Sequence, residues 1–242
     1  RSLHVTGVQT CALPISLKEN IATEHSHCMT CGKKIQWYDL IPLVSYIILG
    51  GKCRHCKAKI SPQYPIIEAT NGIMYVIVFL VHGFNPVSIL MCFAFSIFLV
   101  ISVIDWRTFE IPFSLNVAIG VLGVIRIILD YKNLLDYLIG FCVISGFMLV
   151  CLFVGRAIKG VDAFGGGDIK LMAFAGLFLG WKCIILAFLI GCILGAVIHS
   201  IRMKVTDAEH VLAFGPYLCA GLTIAMLFGT NIINCYLSLM GF

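Results

Sequence analysis

Residues 69–104 have the sequence ATNGIMYVIVFLVHGFNPVSILMCFAFSIFLVISVI, which contains no Asp, Glu, Lys or Arg in 36 positions. A transmembrane helix needs about 20 predominantly apolar residues, so this stretch is long enough for two. Between its halves lies His82-Gly83-Phe84-Asn85-Pro86, a sequence typical of a turn. The stretch therefore predicts two membrane-spanning helices joined by a short connection.

Further apolar runs continue towards the C-terminus. Four of them predict a transmembrane helix each: 111–129, 137–155, 183–201 and 210–230. A fifth run, 169–181, would rise only about 20 Å as a helix, less than the roughly 30 Å hydrocarbon core of a bilayer. We interpret it as a short helix whose start lies in a polar cavity between its neighbours. The predicted fold class is an all-α polytopic membrane protein with about seven transmembrane helices.

The composition of the whole chain agrees with a membrane protein. Hydrophobic residues make up 60% of the 242 residues and charged residues 12%, and the mean hydropathy is +1.00. Soluble domains have about 45–50% apolar and about 25% charged residues. The composition excludes a soluble nucleic-acid-binding protein, a disordered chain and a small secreted disulfide scaffold. We expect the lipid bilayer and no nucleic acid as a partner, and the oligomeric state is left open.

Positive charge is concentrated near the start of the chain. Residues 1–65 contain eight Lys and Arg against three Asp and Glu, whereas residues 66–242 contain nine of each kind. Lys and Arg accumulate on the cytoplasmic side of membrane proteins. If residues 17–65 are cytoplasmic, thirteen basic residues face the cytoplasm, and three, Arg126, Lys132 and Lys182, face the other side. This bias predicts the orientation of the helices.

These observations divide the chain into three parts. Residues 17–65 form a small cytoplasmic domain that contains two cysteine pairs, and residues 66–242 form the transmembrane domain. Residues 1–16 contain no apolar run long enough for a signal peptide or a membrane span. We interpret these residues as a disordered or non-native start of the chain.

The two cysteine pairs predict a metal site. Cys28-x2-Cys31 and Cys53-x2-Cys56 lie in the polar, basic segment, and each pair can hold one edge of a tetrahedral zinc ion. The alternatives are disulfides, a redox pair or an iron–sulfur cluster, and a cytoplasmic location argues against structural disulfides. The expected role is structural, because so small a segment lacks a hydrophobic core of its own.

Two carboxylates have unusual positions relative to the apolar runs. Asp105 directly follows the uncharged stretch, and Asp168 begins the short helix after Gly165-Gly166-Gly167. Two carboxylates brought together can share a proton and activate water, as in aspartic proteases. The glycines would allow the backbone of an extended substrate to approach closely. The alternatives are an N-cap for Asp168, an interfacial anchor for Asp105, or acids that serve transport.

Several motifs together resemble one family, the type IV prepilin leader peptidases. The segment with the two cysteine pairs resembles the cytoplasmic domain of this family. The resemblance also includes Trp37-Tyr38-Asp39, Gly51-Lys52-Cys53-Arg54 and Tyr64-Pro65. The family's two catalytic-aspartate motifs are similar to Asp105-x5-Ile111-Pro112 and to Gly165-Gly166-Gly167-Asp168-Ile169-Lys170. The second is the Gly-x-Gly-Asp signature shared with presenilin-like intramembrane proteases. Phe214-Gly215-Pro216-Tyr217 resembles a further motif of the family.

The resemblance implies an enzyme of the bacterial inner membrane with its active site at the cytoplasmic face. Such enzymes cleave the leader from type IV prepilins, or from the pseudopilins of type II secretion, after a Gly. Many then methylate the new N-terminus with S-adenosylmethionine. The family's catalytic residues correspond to Asp105 and Asp168, the supporting motif residues to Gly165, Gly166, Gly167 and Lys170, and the zinc ligands to Cys28, Cys31, Cys53 and Cys56. Trp37, Asp39 and Glu68 are candidates for methyl transfer by motif position.

The sequence departs from the family pattern at two places. The family has a transmembrane helix ahead of the cysteine pairs, and we expect that helix to be missing here, because the resemblance begins at Leu17. Phe113 stands where the family often has Asp after the Pro of the first aspartate motif. Two other functions remain alternatives: a transporter that uses intramembrane acids, and an inactive membrane protein that serves interactions.

Overall fold

The computed structural model describes Cys28, residues 30–36, Asp39, and residues 44–160, 164–205 and 212–241. The prediction for residues 1–16, the motif residues Trp37 and Tyr38, and the start of the predicted cytoplasmic domain lie outside the described residues. The chain divides into two compact units, one that ends at Val76 and one that begins at Ile77.

Eight α-helices follow one another in the described part of the chain, and no β-strand occurs there. The first two are α1 (Val44–Ile48) and α2 (Gln63–His82). The others are α3 (Pro86–Thr108), α4 (Phe113–Leu129), α5 (Leu134–Lys159), α6 (Gly166–Leu179), α7 (Trp181–Val205) and α8 (Gly215–Leu239). Helices satisfy every backbone hydrogen bond internally, which a membrane requires. The predicted all-α class is therefore confirmed.

Five segments are long and apolar enough to cross a membrane: Pro65–His82, Pro86–Thr108, Tyr131–Ile158, Trp181–Lys204 and Gly215–Leu239. Helix α4 has 17 residues, at the lower limit of about 17 for a membrane span, and α6 has 14, which is below that limit. The multi-pass membrane character is confirmed by these helices, whereas the count of seven spans stays a prediction.

The predicted turn between the first two spans is confirmed in atomic detail. Helix α2 ends at His82, and Asn85 caps α3, since its Oδ1 accepts the N–H of Ser88 at 2.9 Å. The Asn85 amide also donates to the carbonyl of His82 at 2.8 Å. Pro86 then occupies the first position of α3, where its missing N–H costs nothing.

The short helix α6 lies at the centre of the second unit. It packs against α4, α5 and α7, and Leu171, Met172 and Ala175 on it are completely buried. Helices α5 and α6 cross at Gly140 and Gly176, where a Cβ on Gly140 would lie 2.5 Å from the carbonyl oxygen of Gly176. Small residues at such a crossing let two backbones touch. This close contact holds α6, whose first turn carries Asp168, against α5.

Candidate active site and metal centre

Asp105 lies in the last turn of α3. The helix ends because Phe109 adopts a left-handed conformation with φ 54°, and its N–H bonds to the carbonyl oxygen of Asp105 at 2.9 Å. Pro112 then separates α3 from α4. The residue Asp105 is only 5% exposed, and a carboxylate buried to this degree in an apolar bundle is costly unless it has a function or a partner.

Asp168 lies in the first turn of α6. Gly165 is the N-cap residue of this helix and has an extended backbone, and it contributes no side-chain cap. One carboxylate oxygen of Asp168, Oδ1, is buried and has no hydrogen-bond partner among the described residues. A buried acceptor left without a partner is expensive in a merely structural residue. It is an expected feature of a group that binds substrate or water during a reaction.

The two aspartates meet at one pocket of about 310 Å³. Its lining is formed by two loops and the helix ends beside them: Asp105, Phe109, Glu110, Ile111, Gly165, Gly166, Gly167 and Asp168. The structure therefore brings together both aspartates and all three glycines of the predicted site. The glycines present backbone without side chains to this pocket, while Glu110 adds a third carboxyl group that we did not single out from the sequence.

A contact that the sequence analysis missed holds Asp105 from the other side. Its Oδ2 accepts the backbone N–H of Gly215, the first residue of α8, at 3.0 Å. Gly215 is itself buried. The available sequence signal was the motif that begins at Phe214, which we used for the family resemblance without assigning a role to any of its residues.

Lys170 does not line the pocket. Its side chain is exposed, and its Nζ lies 5.3 Å from the centre of the Phe113 ring, a distance at which a cation is attracted to the face of an aromatic ring. Phe113 is the residue that departs from the family pattern. In this chain the motif lysine therefore contacts the start of α4 rather than the two carboxylates.

The four predicted metal ligands cluster in the first unit. The Sγ atoms of Cys28, Cys31, Cys53 and Cys56 all lie within 4.8 Å of one another, and those of Cys28 and Cys56 are 3.7 Å apart. Zn–S bonds of about 2.3 Å in a tetrahedron place sulfur atoms about 3.8 Å apart. The donor set and its spacing therefore fit a metal of the size of zinc, and all four cysteines are free thiols.

An ion pair lies beside the second cysteine pair. The guanidinium of Arg54 donates to the carboxylate of Asp39 through Nε at 2.9 and 3.2 Å and through Nη2 at 2.6 Å. The side chain of Asp39 is only 8% exposed, and hydrogen bonding to Arg54 holds the pKa of its carboxyl below the usual value. Arg54 stands between Cys53 and Cys56, so this pair ties Asp39 to the second cysteine pair.

The second unit can carry out hydrolysis by an acid pair. Two carboxylates at one pocket, one of them with an unpartnered oxygen, can bind a water molecule between them and exchange a proton with it. Asp105 lies in the last turn of one helix and Asp168 in the first turn of another, so helical backbone fixes the position of each carboxylate.

Comparison with known proteins agrees with this site. The model of the bacterial peptidase A24 N-terminal domain matches residues 5–82, which contain the four cysteines. The model of the type IV leader peptidase family matches residues 92–200, which contain both aspartates. No solved structure matches the chain.

Three relatives carry the name prepilin leader peptidase/N-methyltransferase. The protein from Pseudomonas aeruginosa is 33% identical over 92% of this chain and 78% of its own length. That from Stutzerimonas stutzeri is 31% identical over 93% and 79%, and that from Burkholderia pseudomallei 29% identical over 93% and 74%. Such identity along most of both chains confirms the resemblance drawn from the motifs: this chain belongs to the type IV leader peptidase family.

Proposed function

We propose that this protein is an aspartic endopeptidase that removes the leader peptide from type IV prepilins or pseudopilins, with Asp105 and Asp168 as its catalytic residues. The observation that carries the proposal is the shared pocket, to which α3 and α6 each bring one carboxylate. The names of the relatives support the choice of substrate.

The chemistry needs one carboxylate in each protonation state. The ionised aspartate accepts a proton from water, and the resulting hydroxide attacks the carbonyl carbon of the scissile peptide. The protonated aspartate donates to the carbonyl oxygen, which gives a tetrahedral intermediate. Return of a proton to the leaving nitrogen breaks the C–N bond and releases the new N-terminus. Two carboxyl groups that face each other favour this single shared proton.

The glycine wall of the pocket suits an extended substrate. Gly165 and Gly166 are exposed, and neither carries a side chain that would fill the approach to Asp168. A substrate backbone can therefore lie against this wall at close range. We infer that the scissile peptide enters between this wall and the loop formed by Phe109, Glu110 and Ile111.

We infer that the protein lies in the bacterial inner membrane with the pocket and the cysteine quartet at the cytoplasmic face. The basic residues of the first 65 positions support this orientation by the positive-inside rule. We further infer that Cys28, Cys31, Cys53 and Cys56 hold a structural zinc ion. The ion, when bound, supplies cross-links that stabilise a segment with little hydrophobic core.

We also propose that the new N-terminus is methylated with S-adenosylmethionine as the donor, which the N-methyltransferase part of the relatives' name supports. Incubating the protein with a prepilin and donor labelled in its methyl group tests this step. The label is expected on the N-terminal residue of the cleaved pilin. Cleaved but unlabelled pilin would contradict the second activity and leave the peptidase intact.

Cleavage of a model prepilin by purified protein in detergent tests the main proposal. Asp105→Asn and Asp168→Asn are each expected to reduce the rate by at least about a thousandfold. Asp136→Asn is the matched control, since that carboxylate accepts a bond from Trp181 and does not line the pocket. Cleavage that survives in both variants would contradict the assignment. An intact parent that moves ions across liposomes but cleaves nothing would instead favour a transporter.

A further inference from the structure

Two neighbouring residues at the start of α8, the N-cap Phe214 and the first helical residue Gly215, contact the helix that carries Asp105 and the loop that precedes Asp168. Gly215 bonds to Asp105 at the end of α3. The ring of Phe214 lies 6.0 Å from the ring of Phe164, which directly precedes the glycines before Asp168. Neighbouring positions on one chain segment therefore contact both sides of the pocket, although α8 begins 110 residues after Asp105.

The backbone at this helix start leaves one donor for Asp105. The first N–H groups of any helix lack partners within the helix. Of the first three residues of α8, Pro216 has no N–H, and the N–H of Tyr217 bonds to the carbonyl of Phe214 at 3.1 Å. The N–H of Gly215 bonds to Oδ2 of Asp105 at 3.0 Å. Because the contact is buried, each group would otherwise lack a partner.

The space around Gly215 is filled by Asp105. A Cβ built on Gly215 would lie 2.8 Å from Oδ2 of Asp105, 2.9 Å from its Cγ and 3.2 Å from its Cβ. These are the three nearest atoms, and all belong to one side chain. Rotation about the Cα–Cβ bond of Asp105 moves the two nearest atoms, Oδ2 and Cγ, whereas its Cβ stays in place at 3.2 Å. A methyl group at position 215 would therefore be accommodated by displacing the carboxylate from its place in the pocket.

We propose that Gly215 is a positioning residue of the active site, which holds the carboxylate of Asp105 at the pocket by its N–H and by its lack of a side chain. This inference rests on the proposed role of Asp105. The packing of Phe214 on Phe164 also joins this helix start to the loop that precedes Asp168. Together the two contacts maintain the distance between the carboxylates of Asp105 and Asp168. A displacement of about 1 Å in a catalytic group can cost about a hundredfold in rate.

Gly215→Ala tests the proposal, with Gly146→Ala as the matched control. Gly146 lies inside α5, and a Cβ there would meet nothing within 4 Å. We expect Gly215→Ala to lower kcat for a prepilin by about a hundredfold. We expect its KM to stay within about threefold of the parent, because the substrate-binding wall is untouched. Gly146→Ala should match the parent in both constants. A kcat within about threefold of the parent for Gly215→Ala would overturn the proposal.

If Gly215→Ala is unstable or the parent cleaves nothing, melting temperatures still test whether Gly215 and Asp105 are coupled. Asp105→Ala removes the two atoms nearest to the new methyl group. The Cβ of residue 105 remains, 3.2 Å from the methyl group. Gly215→Ala should therefore lower the melting temperature less in the Asp105→Ala background than in the parent. If the methyl group lowers the melting temperature equally with and without the carboxylate, the two residues are not coupled and the proposal fails. This comparison needs no substrate, so it is independent of the proposed function.

Discussion

The carboxylate of Asp105 accepts a hydrogen bond from the backbone N–H of Gly215, and this bond joins the end of α3 to the start of α8 inside the bundle. The pair lies beside the pocket that also contains Asp168. Because both partners are buried, the bond has consequences for stability as well as for the geometry of the carboxylates.

The two simplest substitutions of Asp105 should differ in stability. Asp105→Asn keeps a side-chain oxygen that can accept the N–H of Gly215, whereas Asp105→Ala leaves that N–H buried without an acceptor. We expect the Ala variant to be less stable than the Asn variant by about 1–3 kcal/mol. Thermal unfolding in detergent measures the difference. Glu110 is exposed and serves as the control, so that Glu110→Asn and Glu110→Ala should have the same melting temperature. Equal melting of both Asp105 variants would contradict the structural role of the bond.

Removal of one thiolate from the cysteine quartet should release the metal. The four Sγ atoms lie within 4.8 Å of one another, so loss of any one leaves an incomplete tetrahedron. We expect purified parent protein to contain one zinc ion per chain and Cys31→Ser to contain little. Cys235→Ser is the matched control, because Cys235 lies in α8 outside the quartet. Metal analysis measures the content, and equal zinc in both variants would exclude this site.

The Asp39–Arg54 ion pair should slow the loss of metal. It joins Asp39 to the second cysteine pair through three N···O contacts of 2.6–3.2 Å, a fork geometry that Lys cannot reproduce. We therefore expect Arg54→Lys and Asp39→Asn to release zinc to a chelator faster than the parent. Lys59→Ala removes an exposed positive charge from the same region and should not change the rate. If Arg54→Lys and Asp39→Asn release zinc no faster than Lys59→Ala, the ion pair does not control retention of the metal.

Asp130 should contribute stability that depends on pH. Its carboxylate accepts bonds from the amide of Asn133 at 3.0 and 3.1 Å and from the hydroxyl of Tyr137 at 2.9 Å. The bonds from Asn133 and Tyr137 hold the pKa of Asp130 below its usual value. A folded-state pKa below the unfolded value of about 3.9 means that stability is fully present above that pH. It is lost as the pH falls through the folded-state pKa.

The melting temperatures of the parent and Asp130→Asn should therefore differ by a constant amount at neutral pH. The difference should shrink below about pH 4, where the parent carboxylate becomes protonated. Tyr137→Phe removes one of the bonds and should show a smaller pH dependence of stability than the parent. A difference between parent and Asp130→Asn that grows as the pH falls would contradict this account.

A larger residue at the α5–α6 crossing should disturb the site without touching it. A Cβ on Gly140 would lie 2.5 Å from the carbonyl oxygen of Gly176 and 2.8 Å from the carbonyl carbon of Gly180. These are backbone atoms and cannot rotate aside. We expect Gly140→Val to lower the free energy of unfolding by about 1–3 kcal/mol. The rate of cleavage should fall as well, because α6 carries Asp168. Gly146→Val, six residues further along α5, is the control in melting and cleavage assays. If Gly140→Val and Gly146→Val change the melting temperature and the cleavage rate equally, the close contact at the crossing has no special role.

The features that follow from local sequence were predicted correctly. The 36 uncharged residues before Asp105 can cross a bilayer only as helices, and the turn at Asn85-Pro86 needs residues that are recognisable in the sequence itself. The spacing of Cys28, Cys31, Cys53 and Cys56 predicted in the same way that the four thiols would cluster, which the structure confirms. Hydropathy, capping and ligand spacing depend on residues close together in the chain, so one sequence suffices to predict them.

The contacts between distant helices could not be predicted in this way. Lys170 stands two positions after Asp168, yet its side chain contacts the ring of Phe113, and Asp39 forms an ion pair with Arg54, 15 positions away in the chain. Gly215 has no chemical group that would mark it in a sequence, and its role appears only because α8 packs against α3. In an apolar bundle many helix arrangements bury similar surface. Close backbone contacts at glycines and single buried hydrogen bonds select among these arrangements, and both depend on the packed structure as a whole.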